Sequence, residues 1–300
     1  MSEGRLPTIQ LNRCTAVTDI DIPENYSSNY EYSKEIYEYM KTMESRYLPC
    51  WSYMEKQIEI NKFMRSIMID WIFEVCLEYK LSRDTLYLAV NMIDRFLSVY
   101  ISPKSKLQLV GVTALYVSAK YNELVTPNIE DYVYITDHTY TGDQITQLEQ
   151  HLLVKLDWNL NICSQTEFLD RYFCCIAADE TTVHLANYLS ELSLLTYECI
   201  STLPSTTATS CLCCALYILQ KQPYWNFQIR HQTGLELHDI AESCKLLLQA
   251  FKNMSAATQQ TTLRDKYASS SFCRVSLLAL PSYEMSFDKP TFLFTHQKLI

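Results

Sequence analysis

Glycine is scarce in this chain: four Gly and nine Pro occur among 300 residues. That is too few turn formers for a fold of many short strands, and it favours long helices. The four glycines stand apart at positions 4, 111, 142 and 234, so no glycine-rich phosphate loop exists. The H-E-x-x-H, G-x-S-x-G and EF-hand patterns are also missing. Six His, at 138, 151, 184, 231, 238 and 296, fall on unrelated segments, so no Cys–His or Ser–His nucleophile can be argued. Basic residues are outnumbered, 25 against 34 acids for a net charge of −9. Such a balance disfavours phosphate neutralisation and nucleic acid as a partner. No uninterrupted apolar run reaches about 18 residues, so no membrane partner is expected. The opening MSEGRLPTIQLNRC lacks the apolar stretch of a secretory signal. These absences make a binding module a better reading than an enzyme, with no cofactor expected.

What the chain has is apolar mass. Hydrophobic residues make up 48% and charged residues 20%, an ordinary globular composition. Its length suggests about two domains, each able to bury a core without staples. Twelve Cys are present. Without an export signal they are expected to be free thiols. Cys174-Cys175 and Cys211, Cys213 and Cys214 lack zinc-site spacing and sit in apolar helical runs, where Cys acts as a small hydrophobe.

Helical periodicity organises nearly the whole sequence. Residues 1–28 are polar and unpatterned, and read as a flexible N-terminal segment. Residues 29–62 hold a tyrosine-rich amphipathic helix over 30–44, then a linker around Pro49. Five helical patterns follow over 63–160. The first is 64–79, and the second, 85–100, is apolar nearly all round, as for a central buried helix. Ser102-Pro103 resembles an N-cap followed by Pro at the first helical position. Helix 106–121 carries Gly111 at its middle, where a neighbouring helix can approach closely. A short helix covers 128–136, and Thr141 with Gln144 makes a capping box before 144–158. Ser164 with Glu167 makes another at the start of a second block, 161–280, with helical runs at 182–199, 205–221, 239–253 and about 257–267. Residues 281–300 read as a loose tail. The expected fold class is all-α: two consecutive five-helix domains preceded by an N-terminal helix.

The strings MRSIMIDW, YKLSRDTLYLAVNMIDRFL, KLQLVG, AKYNE and DYVYITDHTYT closely resemble the cyclin box of A-type cyclins in order and spacing. ELSLL at 191–195 and LRDKYASSSFCRVSLL at 263–278 extend the resemblance through the second block. It implies two cyclin-box domains and a non-catalytic regulatory subunit that activates a cyclin-dependent kinase in S phase or at G2–M, in nucleus and cytoplasm. The subunit would hold the kinase's regulatory helix inward, so that the kinase's Lys–Glu pair forms. Lys120 and Glu149 match the family's pair that bonds the kinase backbone, with Tyr121, Leu153 and Trp158 beside them and Tyr32, Ile36 and Tyr39 on the leading helix. From periodicity alone, Tyr121, Leu153 and Trp158 read more strongly as core, and only the family pattern assigns them to the contact. Arg65 and Asp94 match a structural ion pair. Asp70 reads as solvent-facing.

A further implied surface, Met64, Ile67, Met68, Trp71, Leu107 and Gln108, matches a docking patch for substrates and inhibitors bearing Arg-x-Leu, with Glu74 pairing the arginine. The spacing of Met64, Ile67, Met68 and Trp71 on one helix face would also suit pure core packing. Three positions depart from the family: Met68 replaces Leu, Cys76 replaces Gly and Asn122 replaces Glu. Before residue 30 there is no destruction box, since RLPTIQLN (5–12) has Thr8 where Leu belongs. That leaves timed proteolysis through this element unsupported, with a truncated form, a divergent paralogue or degradation by another route as the open expectations. Two other classes stay open: a transcription adapter of the same helical fold, which the acidic charge disfavours, and a decoy that binds kinase without activating it.

Overall fold

The computed structural model describes residues 32–256 and 261–287. The readings for residues 1–28, for 5–12, for 257–260 and for the end of the tail lie outside them. Among the described residues the fold is all-α. The helices are α1 Ser33–Met43, α2 Lys62–Glu78, α3 Arg83–Val99, α4 Leu107–Asn122, α5 Ile129–Ile135 and α6 Gly142–Lys155 in the first half. The second half holds α7 Gln165–Ile176, α8 Glu180–Leu195, α9 Pro204–Ile218, α10 Phe227–Thr233, α11 Ala241–Ala256 and α12 Thr262–Ala268.

Each block wraps a central helix. In the first it is α4, buried continuously from Leu109 to Leu115 and again from Val117 to Ala119. Helix α3, read as apolar nearly all round, is likewise buried along most of its length, with Asn91, Arg95 and Val99 on an outer stripe. Gly111 does bring a neighbour close, because a Cβ there would lie 3.0 Å from Met68 Sδ and 3.1 Å from its Cγ. In the second block the centre is α9, which buries small residues that let helices approach. Two of its hydroxyls bond back within the helix, Thr209 Oγ1 donating to the Ser205 carbonyl at 2.8 Å and Ser210 Oγ to the Thr206 carbonyl at 2.8 Å, whereas the buried Thr207 hydroxyl has no partner among the described residues.

Caps set several helix starts. The boxes at Thr141 and Ser164 form as read, and Asn128 with Asp131 makes another. Several element bounds shift by a few residues, and three departures from the sequence reading are larger. Pro103 does not open an α-helix but precedes a 3-10 turn at Lys104–Lys106, while Ser102 Oγ donates to the Pro103 carbonyl. The run 182–199 breaks at Thr196, where the backbone turns extended. That break lets Tyr197 reach the first block, its hydroxyl donating to the Trp51 carbonyl at 2.8 Å and accepting from Met54 N at 3.0 Å. Helix α10 had no counterpart in the sequence reading, although Asn226 caps it through Ile229 N at 2.9 Å and Gly234 ends it at φ +68°.

The leading helix docks on the second block. Tyr37 packs edge-on to Phe168 and Tyr172, and Lys41 donates to Ser205 Oγ at 2.8 Å. Just beyond α1, the buried carboxylate of Glu44 accepts from Ser205 N at 2.9 Å, at the start of α9. At the other end of the chain α12 packs across α2 and α8. Asp70 is therefore not solvent-facing: it is half-buried and accepts from Thr262 N at 3.3 Å. Burial raises its carboxyl pKa, opposed by the bonds from Thr262 and Leu263.

All eleven described cysteines are free. Burial pushes Cys76 and Cys199 up to about 12, which leaves them as packing groups.

Candidate functional site

Arg65 explains the charge at the start of an otherwise apolar helix. Its guanidinium grips Asp94 on α3 with two bonds of 2.6 Å, and Nη1 donates to the Leu194 carbonyl at 2.9 Å. Tyr53 adds a bond to Asp94 Oδ1 at 2.7 Å. Burial pulls the guanidinium down, and Asp94 more than restores it, so the arginine stays charged. The group ties α2, α3, the linker and the end of α8 together. Its role is structural.

The sequence-predicted contact surface forms where α4 ends beside α6. The capping box at Thr141 fixes the start of α6, and two turns later Glu149 meets Lys120. The Lys120 ammonium donates to Glu149 Oε1 and rests 4.1 Å from the Tyr116 ring centroid. An ammonium has three donors and a carboxylate several acceptor sites, so such a pair retains capacity for a third group. Around it Tyr121 is 53% exposed and Trp158 is 66% exposed. Leu153 lies elsewhere than expected, buried in the chain's own core. The sequence reading missed Leu124, Val125 and Val154, which are also largely exposed. Leu124 and Val125 follow Lys120-Tyr121-Asn122-Glu123, two apolar residues in a loop, which was the available signal.

That loop is anchored. Glu123 accepts from Ser82 N at 2.7 Å and Thr85 Oγ1 at 2.5 Å, closing the start of α3. Burial opposes its charge, but those bonds prevail and its pKa falls below the ordinary value. Tyr32 at the N-cap of α1, and Ile36 and Tyr39 within it, face outward, one and two turns apart, while Tyr37 and Met40 face inward.

The second predicted surface is a shelf where α2 meets the start of α4. Asn61 caps α2 by accepting from Met64 N at 3.0 Å. Ile67 and Glu74 are exposed, and Met64, Trp71 and Gln108 are half-buried. Met68 and Leu107 are buried and form the floor, Met68 lying over Gly111. Phe63, 66% exposed, adjoins the shelf and was not in the sequence reading.

Comparison with known proteins bears on these surfaces. Residues 35–161 match the family model for "Cyclin, N-terminal domain", and residues 164–281 match "Cyclin, C-terminal domain". Over 253 residues the chain is 38% identical to "G2/mitotic-specific cyclin-A" of Patella vulgata, covering 84% of this chain and 59% of the relative. It is 40% identical to "Cyclin-A1" of Xenopus laevis, covering 84% and 60%. "Cyclin-B1-1" of Arabidopsis thaliana is 36% identical over 269 residues, 87% of this chain and 63% of the relative. The chain thus spans less than two thirds of the length of these curated relatives. Among solved structures, a viral cyclin from Herpesvirus saimiri aligns with TM-score 0.64 at 18% identity, over 72% of this chain and 96% of that one. The yeast RNA Pol II CTD kinase CTDK-1 complex contains a chain aligning with TM-score 0.59 at 13% identity, over 71% and 73%. These two show the shared fold. With both domain models matched in order across the two helical blocks, the chain belongs to the cyclin family.

Proposed function

We propose that this chain is a non-catalytic regulatory subunit of a cyclin-dependent serine/threonine kinase, acting in S phase or at G2–M in nucleus and cytoplasm. The observation that carries the reading is the Lys120–Glu149 pair, partly open and rimmed by exposed Tyr121 and Trp158. Charge-assisted donors and acceptors within an apolar rim suit a partner's backbone at the end of a helix. Such a subunit acts by binding the active arrangement of the kinase better than the inactive one, a shift of population. The names of the A-type relatives support the cell-cycle part of the proposal.

The test mixes the purified chain with candidate kinases and measures histone phosphorylation. Lys120→Ala with Glu149→Ala is expected to abolish kinase co-purification while helical circular dichroism stays intact. Undiminished co-purification would refute the assigned role. Binding without activation would indicate a decoy, and neither binding nor activation by the unmutated chain would favour the transcription adapter.

The shelf on α2 supports a second element of the same proposal, recruitment of substrates and inhibitors bearing Arg-x-Leu. Ile67 and Trp71 offer apolar surface over a flexible Met68 floor, Gln108 offers a backbone partner, and Glu74 offers a carboxylate for arginine. Trp71→Ala is expected to slow phosphorylation of an Arg-x-Leu substrate while barely changing that of a short peptide lacking the motif. Equal loss on both would make Trp71 a packing residue only.

A further inference from the structure

Away from both surfaces, three side chains of metal-ligating type converge, two from one helix turn and one from far along the sequence. Glu180 and His184 stand one turn apart at the start of α8, so their side chains leave the same helix face. The segment after α12 folds back over that face. Phe272 packs edge-on to the His184 ring, with centroids 5.2 Å apart. The next two residues, Cys273 and Arg274, both hold left-handed backbone at φ +52° and +53°, an uncommon pairing outside glycine. Together these features bring a ligand atom of Glu180, of His184 and of Cys273 within 4.8 Å of one another. His184 Nε2 already lies 3.5 Å from Glu180 Oε1.

We propose that Glu180, His184 and Cys273 form a site for a borderline divalent cation, with zinc the best fit. Zinc accepts one imidazole nitrogen, one carboxylate oxygen and one thiolate at bond lengths of about 2.0–2.3 Å. In a tetrahedron those bonds place ligand atoms roughly 3.3–3.8 Å apart. The His184–Glu180 edge falls in that range, and a rotamer adjustment of Cys273 closes the others. A thiolate and an imidazole select against magnesium and calcium, which require oxygen donors. Three protein ligands leave the fourth position to water. The bound ion would clasp the segment after α12 onto α8, beside the place where Lys266 and Tyr267 of α12 hold Glu191 of the same helix. No compact motif marks the site, because Cys273 follows the other two ligands at long range. The inference stands apart from the kinase reading, and neither depends on the other.

Cobalt(II) is the probe, added to the full chain after chelator treatment. One equivalent is expected to bind, with a near-ultraviolet thiolate-to-cobalt charge-transfer band and the visible bands of a four-coordinate ion. Zinc should erase both. Cys273→Ser should remove the charge-transfer band, whereas Cys50→Ser and Cys174→Ser, at other exposed thiols, should leave it unchanged. His184→Gln should weaken binding by more than about tenfold, at least the cost of disturbing a ligand's supporting shell. Zinc should raise the melting temperature of the unmutated chain and not that of Cys273→Ser, with circular dichroism confirming that each variant folds. Absence of the charge-transfer band, or a band that survives Cys273→Ser, would overturn the site and leave Glu180–His184 as an ordinary one-turn surface pair.

Discussion

The Arg65–Asp94 and Lys120–Glu149 pairs both link two helices of the first block, one cation to one carboxylate. They differ in setting. The side chains of the first pair are 1% and 5% exposed, and those of the second 38% and 13%. The buried pair has further partners inside the fold: the Tyr53 hydroxyl donates to Asp94 and the Leu194 carbonyl accepts from Arg65. The open pair has water for a neighbour and an apolar rim for a border. Burial makes a charge pair a fastener, because either partner left alone would be an uncompensated charge in a core. Exposure makes the same pair weak within the fold and available to something outside it.

Breaking the fastener should produce the largest effect. Asp94→Ala strands the Arg65 charge and is expected to destabilise the chain by about 3–5 kcal/mol, read from urea midpoints. A loss under about 1 kcal/mol would put this pair in the same class as the open one. An intermediate case sharpens the contrast. Glu191 is held by Lys266 at 2.7 Å and by the Tyr267 hydroxyl at 3.0 Å, with the Lys266 and Glu191 side chains 16% and 6% exposed. Burial raises its pKa, while Lys266 and Tyr267 pull it down. Lys266→Ala should cost about 3 kcal/mol near neutral pH, at the lower end of the buried-pair range because Tyr267 still donates. A carboxyl whose folded pKa is raised binds its proton more tightly when folded, so its contribution to stability falls as pH rises through that window. The variant's deficit should therefore grow from mildly acidic to neutral pH, and a deficit independent of pH would show that Glu191 is not the group left stranded.

At the open pair, Lys120→Ala with Glu149→Ala should change stability by less than about 1 kcal/mol even as it removes kinase binding. A large stability loss would erase the distinction between the two pairs. The smallest effect belongs to a carboxylate with no cationic partner among its described contacts. Asp70 has a raised pKa from burial, so its charged form is disfavoured in the folded state. Asp70→Asn keeps an acceptor for Thr262 and removes the charge. The variant should gain stability relative to the unmutated chain as pH rises from about 4 to 7. A relative loss over that range would mean that the charge at the start of α12 contributes favourably.

Much of this was legible in the sequence, for reasons that differ by element. Long apolar repeats gave the helices of both blocks, and the capping boxes at Thr141 and Ser164 fixed starts, because both signals are local. Helix α10 was missed, being only two turns long and followed by no apolar run, though Asn226 and Gly234 marked its ends. The break at Thr196 was invisible because its cause is a partner far away, the linker that Tyr197 bonds. For the candidate surfaces, the resemblance supplied the residues and periodicity could not decide their side. Tyr121 and Trp158 proved exposed while Leu153 turned inward, a choice made by how α6 rolls against α4. Asp70 was misread for the same reason as Tyr197: the helix start that it caps lies 192 residues further along the chain.

That last separation has a consequence for how the chain is made. During synthesis from the ribosome α1 and α2 emerge early, yet side chains on α2 and just after α1 wait for late segments: Arg65 for the carbonyl of Leu194, Asp70 for the amide of Thr262, and Glu44 for the amide of Ser205. A nascent first block would thus carry a buried guanidinium one bond short and a carboxylate with no helix to cap. The two blocks share one schedule of completion, and the first should reach full rigidity only after the end of the second has left the exit tunnel.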